Sequence, residues 1–309
     1  MIKISNNTLT ITFHAPDSSA GHYRGTRFDW AGVFESINYR GCNYCEPWFE
    51  SYSPIMHDAV CGPAEEFGPI GLHEAEVGEP FLKIGVGILR KMEGPYDRFK
   101  LHEILDEGLR TTDVKADSVV FTHAIDSPTG FGYKYIKEIA ITGESSFCIR
   151  HHLTNTGSKV LQSDVYNHNF FTLGLLATGE SRQLDFPFCP EGDWRAVYSE
   201  VGFTESGIRF TRTLQKGESV FTGNLHEAGK GLTGSPNAFV LSENNSAARN
   251  FGDQDISESC KRRVSAVCNR PMTKAVFWSN HRIACYEPYI DFCIAPGETF
   301  TFDIQYTLA

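Results

Sequence analysis

Apolar residues recur at every second position along this chain, from its first residues to its last. Leu9, Ile11 and Phe13 alternate with Thr10 and Thr12. Tyr133, Tyr135, Lys137, Ile139 and Ile141 alternate with Lys134, Ile136, Glu138 and Ala140. Phe147, Ile149, His151 and Leu153 form a further set, as do Ile208, Phe210, Arg212 and Leu214. Phe300, Phe302, Ile304, Tyr306 and Leu308 close the chain. Successive side chains of a strand point to opposite faces, so a sheet with one buried face requires this pattern and a helix cannot use it. Turn signals separate the runs: Asn155-Thr156-Gly157, Glu205-Ser206-Gly207, Lys216-Gly217 and Pro296-Gly297. No convincing amphipathic helix exceeds about two turns. The chain is therefore read as all-β and antiparallel, with few short helices.

The 28 glycines and 14 prolines are spread along the 309 residues rather than pooled in a linker, and no break in composition marks a boundary. The expectation is one domain over 1–309. Hydrophobic residues make up 41% and charged residues 21%, enough apolar surface for a sizeable core. The net charge of −10 argues against a nucleic-acid partner, because an acidic chain repels phosphate backbones. No run approaches the roughly 18 apolar residues of a membrane helix. The opening MIKISNNTLTITF lacks the apolar core of a signal peptide. Nine scattered cysteines suit reduced thiols better than a disulfide framework, so a cytoplasmic location is expected.

Two segments carry chemistry. In LTNTGSKVLQSDVYNHNFFTL, residues 153–173, Tyr166, His168 and Phe170 share one strand face, and Asn167 and Asn169 share the other. Polar side chains within an aromatic strand form either a satisfied network or a site. In ACYEPYIDFC, residues 284–293, Glu287 lies between Tyr286 and Pro288-Tyr289. Desolvation among aromatics raises a carboxylate's proton affinity toward that of a useful base, and a surface glutamate beside a loop is the plainer alternative. Arg27, Lys83 and Arg90 fall in apolar, strand-like segments. Either they line a pocket, or they pair with Glu65, Glu66 or Asp29. The glycines of FLKIGVGILRK admit close approach of a backbone or a ligand. Trp30, Trp48, Trp194 and Trp278 could each stack on a flat ligand face or be core. Cys42-Asn43-Tyr44-Cys45 lacks the second ligand pair of a zinc site, and His151 and His152 point to opposite faces, so no metal is expected.

The segment NTGSKVLQSDVYNHNFF resembles the galactose mutarotase (aldose 1-epimerase) superfamily, in which an N-H-x-aromatic-Phe strand carries the catalytic histidine. The Glu-Pro-Tyr at 287–289, the Pro-Gly-Glu at 296–298 and the final alternating strand are similar to the family's ending, which carries the catalytic glutamate. GTRFDWAGVFESINYRG and GPAEEFGP also look like its early strands. The family's L-H-G-G segment has only a partial echo in Gly71-Leu72-His73-Glu74. The resemblance implies a large antiparallel β-supersandwich and interconversion of the α and β anomers of a sugar. Glu287 would be the general base and His168, protonated near neutral pH, the general acid. Arg27, Lys83, Arg90, Asn167 and Tyr289 would be substrate-binding, and the partner a small carbohydrate, without cofactor. The alternatives are a non-catalytic carbohydrate-binding protein on the same fold, or a carbohydrate lyase or hydrolase. The oligomeric state is not fixed by these observations.

Overall fold

A computed structural model describes residues 1–173, 177–196, 201–232, 234–244 and 261–309. Among the described residues there is no helix, and every paired strand is antiparallel. The architecture is all-β. The largest sheet has ten described strands. From one edge they are Val201–Thr204, Gly207–Phe210, Arg182–Asp185, Ala238–Asn244, Lys261–Cys268, Thr299–Leu308, Ser146–Asn155, Gly132–Gly143, Ser118–Asp126 and Leu109–Val114. A second sheet has six, in the order Pro190–Ala196, Ser219–Glu227, Lys274–Asn280, Ala284–Ile294, Leu161–Phe170 and Gly62–Phe67. A four-stranded sheet at the N-terminus and a three-stranded one spanning Pro80–Asp106 complete it.

The alternation read from the sequence maps onto these strands with one shortening. The run Ile208–Leu214 pairs as a strand only to Phe210. Beyond it Arg212 turns to Glu218, with guanidinium-to-carboxylate bonds of 2.6 and 3.0 Å, and closes a loop.

The ten- and six-stranded sheets pack face to face. Phe67 meets Tyr135 edge-on with ring centroids 5.3 Å apart, and Tyr306 donates a 2.9 Å hydrogen bond to Asn169 Oδ1. Buried apolar side chains form one cluster running from Ile4 to Leu308. The six-stranded sheet thus has an inner face against its partner sheet and an outer face free to carry a site. At Gly85, φ is +79° and a Cβ would lie 2.6 Å from Asp29 Oδ1. The close approach foreseen at the FLKIGVGILRK glycines is here made by the protein itself rather than by a ligand.

Candidate active site

Strand parity decides which side chains reach the outer face. In Leu161–Phe170, Tyr166, His168 and Phe170 point outward, and Asn167 and Asn169 point into the sandwich. Leu161–Phe170 pairs with Ala284–Ile294 through Tyr166↔Tyr289. Extending that register by two residues sets His168 across from Glu287. Their side chains meet: His168 Nε2 lies 3.2 Å from Glu287 Oε1, and both residues are buried. Two positions 119 residues apart in sequence are joined by this single strand pairing.

The pair forms part of the wall of a cavity of about 570 Å³, within the usual ~300–1,000 Å³ of small-molecule sites. Trp48, Phe170, Phe221 and Trp278 make an aromatic side, and Arg27, Arg98, His57, Asp58 and Tyr289 a polar one. The His168 imidazole stacks on Phe170 at 3.7 Å between centroids, and Phe170 stacks on Trp48 at 5.1 Å. This fixes the ring plane. His168 Nδ1 is buried without a hydrogen-bond partner.

Glu66 organises the cations. It is fully buried and receives Lys83 Nζ at 3.0 Å, Arg27 Nε at 2.9 Å and Arg98 Nη1 at 3.3 Å, with the Tyr166 hydroxyl as a fourth donor. Burial pushes its carboxyl up, but Lys83, Arg27, Arg98 and Tyr166 outweigh burial and hold it at about 2. Burial likewise pushes Glu287 up to about 7, against the opposing pull of Arg27 and Arg98. Burial, reinforced by the same two arginines, holds His168 well below the ordinary imidazole value. These shifts run against the sequence-based expectation of a protonated His168 near neutral pH: burial and two fixed guanidinium charges disfavour the imidazolium, while burial raises the Glu287 carboxyl.

The site residues expected from sequence divide. His168, Glu287, Arg27 and Tyr289 converge on the cavity. Arg27 also forms the ion pair with Glu66 that was its alternative reading. Lys83 stands behind the wall, fully buried between Glu66 and the Tyr96 hydroxyl. Arg90 is not brought to the cavity. It is exposed and doubly bonded to Glu103, because its strand Gly87–Arg90 ends at the surface. Asn167 is not brought there either, since parity turns it inward to donate to Glu65 Oε1 at 2.8 Å. His73 is exposed. Sequence reasoning missed Arg98, His57 and Asp58. Arg98 had a signal of the same kind as Arg27, a cation among aromatics in Tyr96-Asp97-Arg98-Phe99.

The fold and this cavity define a β-sandwich of the galactose mutarotase type with a buried histidine–glutamate pair. No family sequence model matches the chain, and no curated protein sequence matches it. Solved structures match over its full length. One is a galactose mutarotase-like protein from Lactobacillus casei, 13% identical, covering 100% of both chains with a TM-score of 0.53. Another is the GalM/aldose epimerase homologue from C. elegans, 12% identical, covering 100% of this chain and 98% of that one, TM-score 0.52. A candidate aldose 1-epimerase from Escherichia coli K12 is 11% identical at the same coverage, TM-score 0.58. At these identities the likeness is one of fold, and it agrees with the fold expected from the sequence. Among the described residues no helix is long and apolar enough to cross a membrane.

Proposed function

We propose that this protein is a sugar mutarotase, which interconverts the α and β anomers of an aldose by opening and reclosing its ring. The observation that carries the reading is the 3.2 Å contact of His168 Nε2 and Glu287 Oε1 on the wall of one cavity. The hydroxyl oxygen and the ring oxygen of a hemiacetal hang from the same carbon. An acid and a base on the wall of one cavity can therefore serve both oxygens of one bound ring.

In the reaction, Glu287 takes the proton of the C1 hydroxyl and His168 gives one to the ring oxygen. The C1–O5 bond breaks and the C1 carbonyl forms. The C1–C2 bond rotates, and the same groups, with protons exchanged, reclose the ring from the other face. The active pair holds one proton in total. Burial favours that proton on Glu287, and it passes along the Nε2–Oε1 contact to His168 to generate the acid–base form. Proton transfers of this kind contribute typically ~10²–10⁴-fold. Arg27, Arg98 and the Tyr289 hydroxyl offer polar contacts to sugar oxygens, and Trp278 an apolar face to the ring.

The test is α/β exchange measured by two-dimensional NMR on a panel of aldoses. The expected result is faster exchange for at least one sugar in the presence of protein. Rates equal to the uncatalysed ones for every sugar would favour instead a carbohydrate-binding protein on the same fold.

A further inference from the structure

The cavity over His168 and Glu287 does not end at its aromatic side. A second, outer chamber of about 670 Å³ adjoins it, and Trp48, Asp58, Ser219 and Trp278 line both. The junction begins close to the reacting groups: Trp278 lies 6.0 Å from the His168 ring between centroids, and Trp48 stacks on the phenylalanine that stacks on His168. The outer chamber is walled by Phe49 and Met56 and by polar groups that include Glu50, Lys216 and Asn280.

We propose that this outer chamber is a second sugar subsite, so that the substrate is a reducing disaccharide or longer oligosaccharide. Its reducing ring sits over His168 and Glu287, and the next ring lies past Trp48 and Trp278. The inference rests on the mutarotase reading and adds the class of substrate to it.

Three features select this occupant. The first is rigidity. Trp48 is held by its indole Nε1–H donating to Val60 O at 2.9 Å, and the carbonyls of Trp48 and Phe49 accept from Arg282 Nη1 at 3.4 and 3.5 Å. A preformed aromatic wall binds a flat apolar ring face without an ordering cost. The second is charge. The carboxylates Glu50, Glu218 and Asp58 of the outer chamber are balanced by cations that already have partners: Lys216 with Glu50 at 3.1 Å, Arg212 with Glu218 at 2.6 Å, and Arg282 with the Trp48 and Phe49 carbonyls. A phosphate or carboxylate would have to displace those partners, whereas a neutral polyhydroxyl ring finds acceptors without doing so. The third is an acceptor at the junction. The Asp58 side chain is 24% exposed and lines both chambers. A hydroxyl near the glycosidic linkage can donate to its exposed part.

Two measurements on the full chain test the proposal. The first compares kcat/KM for anomer exchange of glucose and galactose with that of maltose, cellobiose and lactose. One stacked ring with its hydroxyl contacts is expected to raise kcat/KM about tenfold for a fitting disaccharide. Ser51→Trp, at the exposed rim of the outer chamber and away from the inner cavity, is expected to abolish that advantage and keep the monosaccharide rate. The second is saturation-transfer NMR, read ring by ring. Transfer to both rings of a disaccharide supports the subsite, and transfer to the reducing ring alone overturns it. Equal kcat/KM for every mono- and disaccharide also overturns it while the mutarotase reading stands. Transfer to both rings without any acceleration of exchange removes the mutarotase reading and leaves the subsite. No transfer to any sugar overturns both.

Discussion

At the residue scale, the proposed function turns on one contact between two buried ionisable groups. Glu287→Gln keeps the shape of the carboxyl but accepts no proton, and His168→Asn keeps a polar side chain without its acid. Each is expected to lower kcat/KM for anomer exchange at least ~10²-fold. Unchanged circular dichroism and melting temperature would separate this from unfolding, and full activity in either variant would remove that residue from the mechanism. The pH profile follows from the shifts. In the proposed mechanism the singly protonated pair is the active form. It loses its proton as Glu287 ionises near pH 7, and gains a second only well below the ordinary histidine range. kcat/KM, which reports the free enzyme, is therefore expected to fall as pH rises through about 7 and to hold on the acid side to well below 6.5. A profile with its acid limb near 6.5 and its alkaline limb well above 7 would reverse the proton assignment.

At the scale of elements, Gly62–Phe67 and Leu161–Phe170 each carry polar residues on both faces, and each face has its own task. Glu66 points outward to three cations, and its neighbour Glu65 points inward to Lys137 and Asn167. Removing one partner of a buried ion pair strands the others. Glu66→Gln is expected to cost about 3–5 kcal/mol in urea denaturation. The depressed carboxyl makes the wild-type contribution present above the ordinary value of 4.5 and lost as pH falls through about 2. The variant's stability should accordingly lose part of its dependence on acid pH. Asn169 ties the site strand to the next strand of its own sheet and to the facing sheet, donating to Tyr286 O at 2.7 Å and accepting from the Tyr306 hydroxyl at 2.9 Å. Asn169→Leu leaves both groups buried and unpaired, and is expected to destabilise by about 1–3 kcal/mol for each. A shift in urea midpoint too small for one such group would show that the two layers relax around the leucine.

At the scale of the molecule, the site strands lie inside the six-stranded sheet, and a solvent-exposed edge strand ends the ten-stranded one. Leu161–Phe170 is buried over its last six residues and paired on both sides. Leu109–Val114 is an edge strand, exposed at most positions, with Leu109 itself 78% exposed. Amide exchange is expected to be slowest in Val165–Phe170 and in the pairing half of Ala284–Ile294, and fastest along Leu109–Val114, where opening needs no rupture of the core. Similar protection across both regions would indicate that the edge does not open separately.

The sequence by itself determined the class of fold, because period-two burial is a property of single strands and is written in neighbouring residues. It also put His168 and Glu287 forward as a candidate pair, through the resemblance of their two segments to a known superfamily; the local pattern alone left a structural histidine and a surface glutamate open. Which cations serve the cavity was decided only by the tertiary structure. Arg27, Lys83, Arg90 and Arg98 look alike in sequence, each a cation among apolar or aromatic residues. Glu66 draws three of them together from separate loops and strands, while Arg90 ends at the surface with Glu103. Asn167 illustrates the same limit, since its strand position fixed its face but not whether that face held the site or the sandwich interior. The upward shift of Glu287 and the downward shift of His168 were also beyond the sequence. They depend on how much solvent the folded cavity excludes and on two guanidinium groups, neither of which the local pattern around residues 168 and 287 specifies.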